Sequence, residues 1–157
     1  MEDRYQHSEN GRSVLQADLN AIGEASALAD DRVFAELLRL LPFNGTVEAC
    51  AALSRAAPIL VKAKSVEILH LAEHAGDTGI AINAQRYLRQ YGCMATITEQ
   101  APSGKGIGED IAARASASGA DLIVMGAYGR SRLRELVLGG ATRHMMHHAP
   151  VPVFLAH

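Results

Sequence analysis

The chain has 157 residues, room for one folded domain and its core but not for two. Its formal net charge is −2 and its sequence pI is near 6.4, so there is no basic field to draw in nucleic acid or anionic lipid. The opening MEDRYQHSENGRSV is polar and mixed in charge, and no run of about 18 apolar residues follows, which points to a soluble, cytoplasmic protein.

Residues 1–36 are irregular, with Gly11, Gly23 and an Asp30-Asp31 pair, although 25–40 carries enough Ala, Leu and Glu to read as helix. We read 1–36 as an extension and 37–157 as the domain. From residue 37 onward, short apolar runs alternate with stretches of helical period, the pattern of a parallel sheet covered by helices. Five such runs predict strands at 37–43, 66–71, 93–98, 122–125 and 151–155. Local propensity pulls the other way at 37–41, because leucine favours helices where valine and isoleucine favour strands.

After the first run, Thr46 can cap a helix with Glu48 in its first turn and Ala49, Leu53, Ala56 and Leu60 on one face. Pro58 is expected to kink or end it. Asp77 or Thr78 starts the next helix, in which Ile80, Ala84, Tyr87, Leu88 and Tyr91 follow the helical period and Gly92 suits the position after its end. A third helix is expected over 107–118, with Glu109 and Asp110 at its positive end and Gly119 after its last turn. The fourth begins near Gly139 or Gly140 and ends before Ala149-Pro150. Cys50 and Cys93 sit in apolar segments without a Cys-x-x-Cys pair and read as core thiols, with no metal or redox site.

The stretch from Asp121 to the C-terminus carries the chemistry. A fully apolar strand at 122–125 stops at Gly126, Gly129 follows, and Gly139-Gly140 opens a helix. Glycines there let the backbone approach a ligand, and free N–H groups at a helix start attract anions such as phosphate. Arg130, Arg132 and Arg143 add positive charge nearby, and ligands of open parallel sheets tend to sit at the carboxyl ends of the strands.

Here the sequence resembles the universal stress protein family, whose nucleotide-binding members carry Gly-x-x-Gly, nine residues, then Gly-Ser/Thr. This chain reads Gly126-Ala127-Tyr128-Gly129, nine residues, then Gly139-Gly140. The run Leu138-Gly139-Gly140-Ala141-Thr142-Arg143 and the closing His148-Ala149-Pro150-Val151-Pro152-Val153 resemble the family too, and the likeness extends back to about Leu37. It implies an α/β fold: an open five-stranded parallel sheet with helices on both faces, Rossmann-like and adenine nucleotide alpha hydrolase-like, in strand order 3-2-1-4-5. It further implies a module that binds ATP, ADP or AMP, with or without Mg, and acts as a homodimer through the last strand, Val151 to Leu155, where Pro150 and Pro152 leave positions without an N–H. The site residues it implies are Pro42, Asn44, Leu71, Met125, Gly126, Gly129, Arg130, Gly139, Gly140, Ala141 and Thr142. Leu71 would touch the base and Met125 flank it.

Two positions depart from the family pattern. Asn44 stands where a ribose-binding aspartate is usual; an amide can accept a hydroxyl hydrogen bond but lacks the charge that strengthens it. Gly140 replaces Ser/Thr and removes a phosphate-bonding hydroxyl, a loss of roughly 0.5–1.5 kcal/mol, or three- to tenfold in affinity. These departures favour an alternative, a dimerisation or interaction module that has lost its ligand. The segment Glu9-Asn10-Gly11-Arg12-Ser13-Val14-Leu15 resembles the strand that closes a preceding copy in tandem members, so the chain looks like the second half of such a protein.

Simpler readings stand beside these. The glycines also serve as turn and cap residues, and Asn44-Gly45 is a common turn pair. His144, His147 and His148 share a helix face but read as a solvated C-terminal turn, not a metal site. The segment 103–108 lacks the order of a phosphate loop. Tyr128 and Ser131 have no identifiable base, so the reading is non-catalytic; a slow ATPase would need a general base and a metal ligand, and from Gly126 to Gly140 the acidic residue is Glu135.

Overall fold

The computed structural model describes residues 14–16 by their backbone and residues 37–72, 78–127 and 140–157 in full. In chain order its elements are β1 (Val14–Gln16), β2 (Leu38–Pro42), α1 (Val47–Leu60), β3 (Ser65–Leu71), α2 (Gly79–Gln90), β4 (Ala95–Gln100), α3 (Ile107–Ser118), β5 (Leu122–Gly126), α4 (Ala141–His148) and β6 (Val153–Ala156). The strands form one sheet in the order β1-β6-β5-β2-β3-β4, every pairing parallel. Without β1 this is the expected 3-2-1-4-5 arrangement of five strands; β1 adds a sixth beside β6, with Val14 opposite Val153 and Gln16 opposite Leu155.

The inner strands are largely apolar because both faces are covered. Leu41, Ile68, Val124 and Phe154 turn to one face, where they pack on Ala52, Leu53, Ala56 and Leu60 of α1 and Ala84 and Leu88 of α2. Leu40, Leu69, Ile123 and Leu155 turn to the other, against Ile111 and Ala115 of α3 and Met145 of α4. This sheet position overrides the helical propensity of residues 37–41 and makes 38–42 a central strand, not the end of a helix over 25–40.

Several boundaries differ from the expectations above, each for a local reason. The second helix closes in a Schellman turn: Gly92 has φ +79°, its N–H donates to the Arg89 carbonyl at 3.0 Å, and the Cys93 N–H donates to the Leu88 carbonyl at 3.1 Å. Cys93 thus belongs to the cap and β4 starts at Ala95, not at 93. Pro152 lends its carbonyl to the Ile123 N–H at 3.0 Å but has no N–H of its own, and β6 starts at Val153 rather than 151. Pro58 lies inside α1, which continues to Leu60; Pro58 and Ser54 are both exposed, so the carbonyl deprived of its donor is on the solvent side. Within α2 the buried face is Ala81, Ala84 and Leu88, while Ile80 and Tyr91 are exposed. Of the two cysteines, Cys93 is buried and Cys50 is exposed, so Cys50 is not a core thiol.

Charged side chains also tie elements together. The Arg114 Nε of α3 donates to Glu67 Oε1 on β3 at 2.7 Å, and Glu67 is buried. Asp121 Oδ2 accepts the Leu38 N–H at 2.8 Å while its own N–H donates to the Leu38 carbonyl at 2.9 Å, fixing β5 beside β2. Burial of Arg39 lowers its guanidinium below the usual range, and the Asp121 carboxylate opposes that shift.

Candidate functional site

At the carboxyl ends of β2, β3 and β5 the helices α1, α3 and α4 all begin, and between them lies a cleft of about 430 Å³. The turn from β2 into α1 forms one rim. There the Asn44 Oδ1 accepts the Thr46 N–H at 3.2 Å, and the Thr46 Oγ1 accepts the Ala49 N–H at 3.3 Å, which caps α1. Gly45 has φ +73°, and a Cβ there would lie 2.6 Å from Ile80 Cγ2, so both backbone and space call for glycine. The His70 Nδ1–H donates to the Phe43 carbonyl at 3.2 Å and ties β3 to this turn.

The floor is apolar: Leu69 and Leu71 from β3, Met125 from β5 and Ile111 from α3. The far rim is the start of α4, where Ala141 and Thr142 face the cleft. Gly140 is the N-cap residue and, having no side chain, supplies no hydrogen bond to the first N–H groups of α4.

The structure therefore brings Pro42, Asn44, Leu71, Met125, Gly126, Ala141 and Thr142 together around the cleft, with Gly140 at the start of α4. Gly129, Arg130 and Gly139 lie outside the described residues. Gly126, which lines the cleft, has a further reason that the sequence does not suggest. A Cβ on it would stand 2.6 Å from both the Ala49 nitrogen and the Glu48 carbonyl carbon, so its missing side chain makes room for α1. Phe43, Thr46, Glu48, Ala49, Leu69, Ile107 and Ile111 also line the cleft without having been assigned to the site from the sequence. The position of Phe43 just after β2 and the helix-start position of Ile107 are the signals that could have found those two.

Glu48 is the charged side chain among the described lining residues, and its Oε2 is buried with no hydrogen-bond partner among the described residues. His147 and His148 are exposed at the last turn of α4, and among the described residues no group of three or more His, Cys, Asp or Glu is arranged to hold a metal ion. No helix among the described residues is long and apolar enough to cross a membrane.

Comparison with known proteins gives this geometry a setting. The family model described as the universal stress protein family matches residues 40–157. A comparison with curated proteins finds no match. Among solved structures, a universal stress protein in complex with cAMP superposes with a TM-score of 0.64 at 19% identity, over 77% of this chain and 96% of that one. The universal stress protein from Archaeoglobus fulgidus in complex with dAMP gives 0.55 at 19% identity, over 78% and 97%. Another universal stress protein, from Archaeoglobus fulgidus DSM 4304, gives 0.62 at 19% identity, over 80% of this chain but 45% of its own. The fold is that of these proteins.

Proposed function

The chain belongs to the universal stress protein family, and from that footing we propose that it is a non-catalytic module of the stress response that binds an adenine nucleotide, ATP, ADP or AMP, and works as a homodimer. The observation that carries this reading is the cleft, with its apolar floor facing the start of α4, whose N-cap residue is a glycine. Complexes of related proteins with cAMP and dAMP support adenine as the base. In this reading the base lies between Leu71 and Met125, and the ribose faces Pro42 and Asn44. The phosphates meet the N–H groups of Ala141 and Thr142, with Gly126, Gly129, Arg130, Gly139 and Gly140 around them. ATP would bring its own Mg.

The Asn44 oxygen already accepts the Thr46 N–H, so the amide's free hydrogen-bonding capacity toward a ribose is mainly its NH₂. That feature and Gly140 favour the second reading, an interaction module without a nucleotide. For dimerisation through Val151 to Leu155, the outer edge of β6 matters: β1 occupies it from Val153 to Leu155, and a mate pairing there must first displace β1.

Calorimetric titration with Mg-ATP and AMP tests the proposal, beside Ala141→Asp. That aspartate suits a helix start and so preserves α4, but it sets a carboxylate where phosphate would lie. Micromolar binding weakened at least about tenfold in the variant supports the nucleotide reading. Gly140→Ser, which restores the missing hydroxyl, is expected to tighten binding roughly three- to tenfold. No heat from either nucleotide up to millimolar concentration moves the assignment to the ligand-free module, and phosphate release from ATP overturns the non-catalytic part.

A further inference from the structure

Glu48 has an ordinary explanation, an acid in the first turn of α1 that complements the helix dipole. Such acids usually find an N–H or water. Here Thr46 already supplies the side-chain cap by accepting from Ala49, and Glu48 Oε2 is buried with no partner among the described residues. Its position follows from Gly126: the backbone of β5 approaches α1 so closely that a Cβ on Gly126 would lie 2.9 Å from Glu48 Cβ. This places Glu48 beside the end of β5, on the wall of a cleft whose other described lining residues are uncharged.

A carboxylate there acts on a ligand according to the ligand's charge. It has little effect on a neutral nucleoside, and it can accept a hydrogen bond from a sugar hydroxyl. Against phosphate it is repulsive, and the repulsion grows with each negative charge because a partly enclosed site screens it less than bulk water does. We propose that Glu48 is a specificity-determining residue that selects adenine ligands of low negative charge, such as adenosine or AMP, over metal-free ATP. The inference rests on the nucleotide-binding reading of the same cleft. It also gives Asn44 a context: the cleft keeps a carboxylate, carried on α1 instead of on the β2 turn.

The test compares adenosine, AMP and ATP binding in EDTA, and then ATP with Mg, for the wild type and for Glu48→Gln, which keeps the shape and removes the charge. The wild type is expected to bind adenosine and AMP more tightly than free ATP. In Glu48→Gln, ATP affinity should rise about tenfold or more while adenosine changes less than about threefold, and the gain from adding Mg should shrink. Glu48→Asp, which retains the charge, should keep the wild-type order. Equal shifts for all three ligands would make Glu48 a purely structural residue and overturn the inference alone. So would a wild type that prefers metal-free ATP to adenosine, whatever the variants do. A folded wild type that binds none of them overturns the nucleotide reading, and this inference with it.

Discussion

Replacing Gly126 by alanine adds one methyl group at the junction of β5 and α1, and the structure sets the consequence. The new Cβ would be 2.6 Å from the Ala49 nitrogen and from the Glu48 carbonyl carbon. Both obstacles are backbone atoms in a capped first turn, so no side-chain rotation relieves the contact, and α1 must move off β5 by most of an ångström. Overpacking of this kind costs about 1–3 kcal/mol, partly offset by about 0.4–1 kcal/mol from the stiffer unfolded chain. For a domain of this size the melting temperature should fall by roughly 2–8 °C. Gly79→Ala is the matched control: nothing lies within 4 Å of a Cβ there, the site opens α2, and the same chemical change should be neutral or stabilising by up to about 1 kcal/mol. Thermal and urea melts of the two variants decide it. If Gly126→Ala is as stable as Gly79→Ala or more so, the close approach of β5 to α1 is refuted, and with it the placement of Glu48 against the cleft.

Gly108→Ala should also destabilise the protein, by about 1–2 kcal/mol despite its better helix propensity, because its Cβ would come within 2.8 Å of His144 Cγ where α3 meets α4. Since α4 opens at the cleft, nucleotide affinity should fall with it, and a second change, His144→Gly, which removes the His144 Cβ that stands nearest, should recover part of both in a double-mutant melt and titration. The two cysteines should separate cleanly under a thiol reagent: Cys50 reacts in the native protein, whereas Cys93, whose thiol burial pushes up and whose Sγ lies 3.6 Å from the Leu60 carbonyl oxygen, reacts only on unfolding. Rapid loss of both thiols in native buffer would contradict the buried position of Cys93.

What could be read in the sequence depended on how local its cause was. The third helix has the expected bounds because Gly119 ends it within five residues of its partners: the Gly119 N–H donates to Ser116 and the Ala120 N–H to Ala115. The start of β4 was less legible, since the Schellman turn uses Cys93, an apolar residue that looks like strand. Cys50 could have been placed by helical phase, because it lies off the Ala49, Leu53, Ala56, Leu60 face. Glu48 could not. As a first-turn acid it is indistinguishable from any other in the sequence, and its burial depends on a strand seventy-odd residues later having glycine at its last position. The Glu67 and Arg114 pair is hidden for the same reason, being 47 residues apart.

The N-terminal strand shows how direction constrains assembly. Two copies of one strand joined across a two-fold axis normal to the sheet run antiparallel. At the β6 edge, β1 runs parallel, from Val14 opposite Val153 to Gln16 opposite Leu155. Its pairing therefore does not imitate that of a two-fold mate, nor of the preceding copy in a tandem arrangement related by such an axis. It closes the edge by another route, with three residues in register. An edge strand invites pairing with other chains unless it is short, blocked or covered. With Pro152 removing one donor just before β6 and β1 covering the register that follows, the homodimer proposed above would form through this edge only by exchanging β1 for a mate's strand.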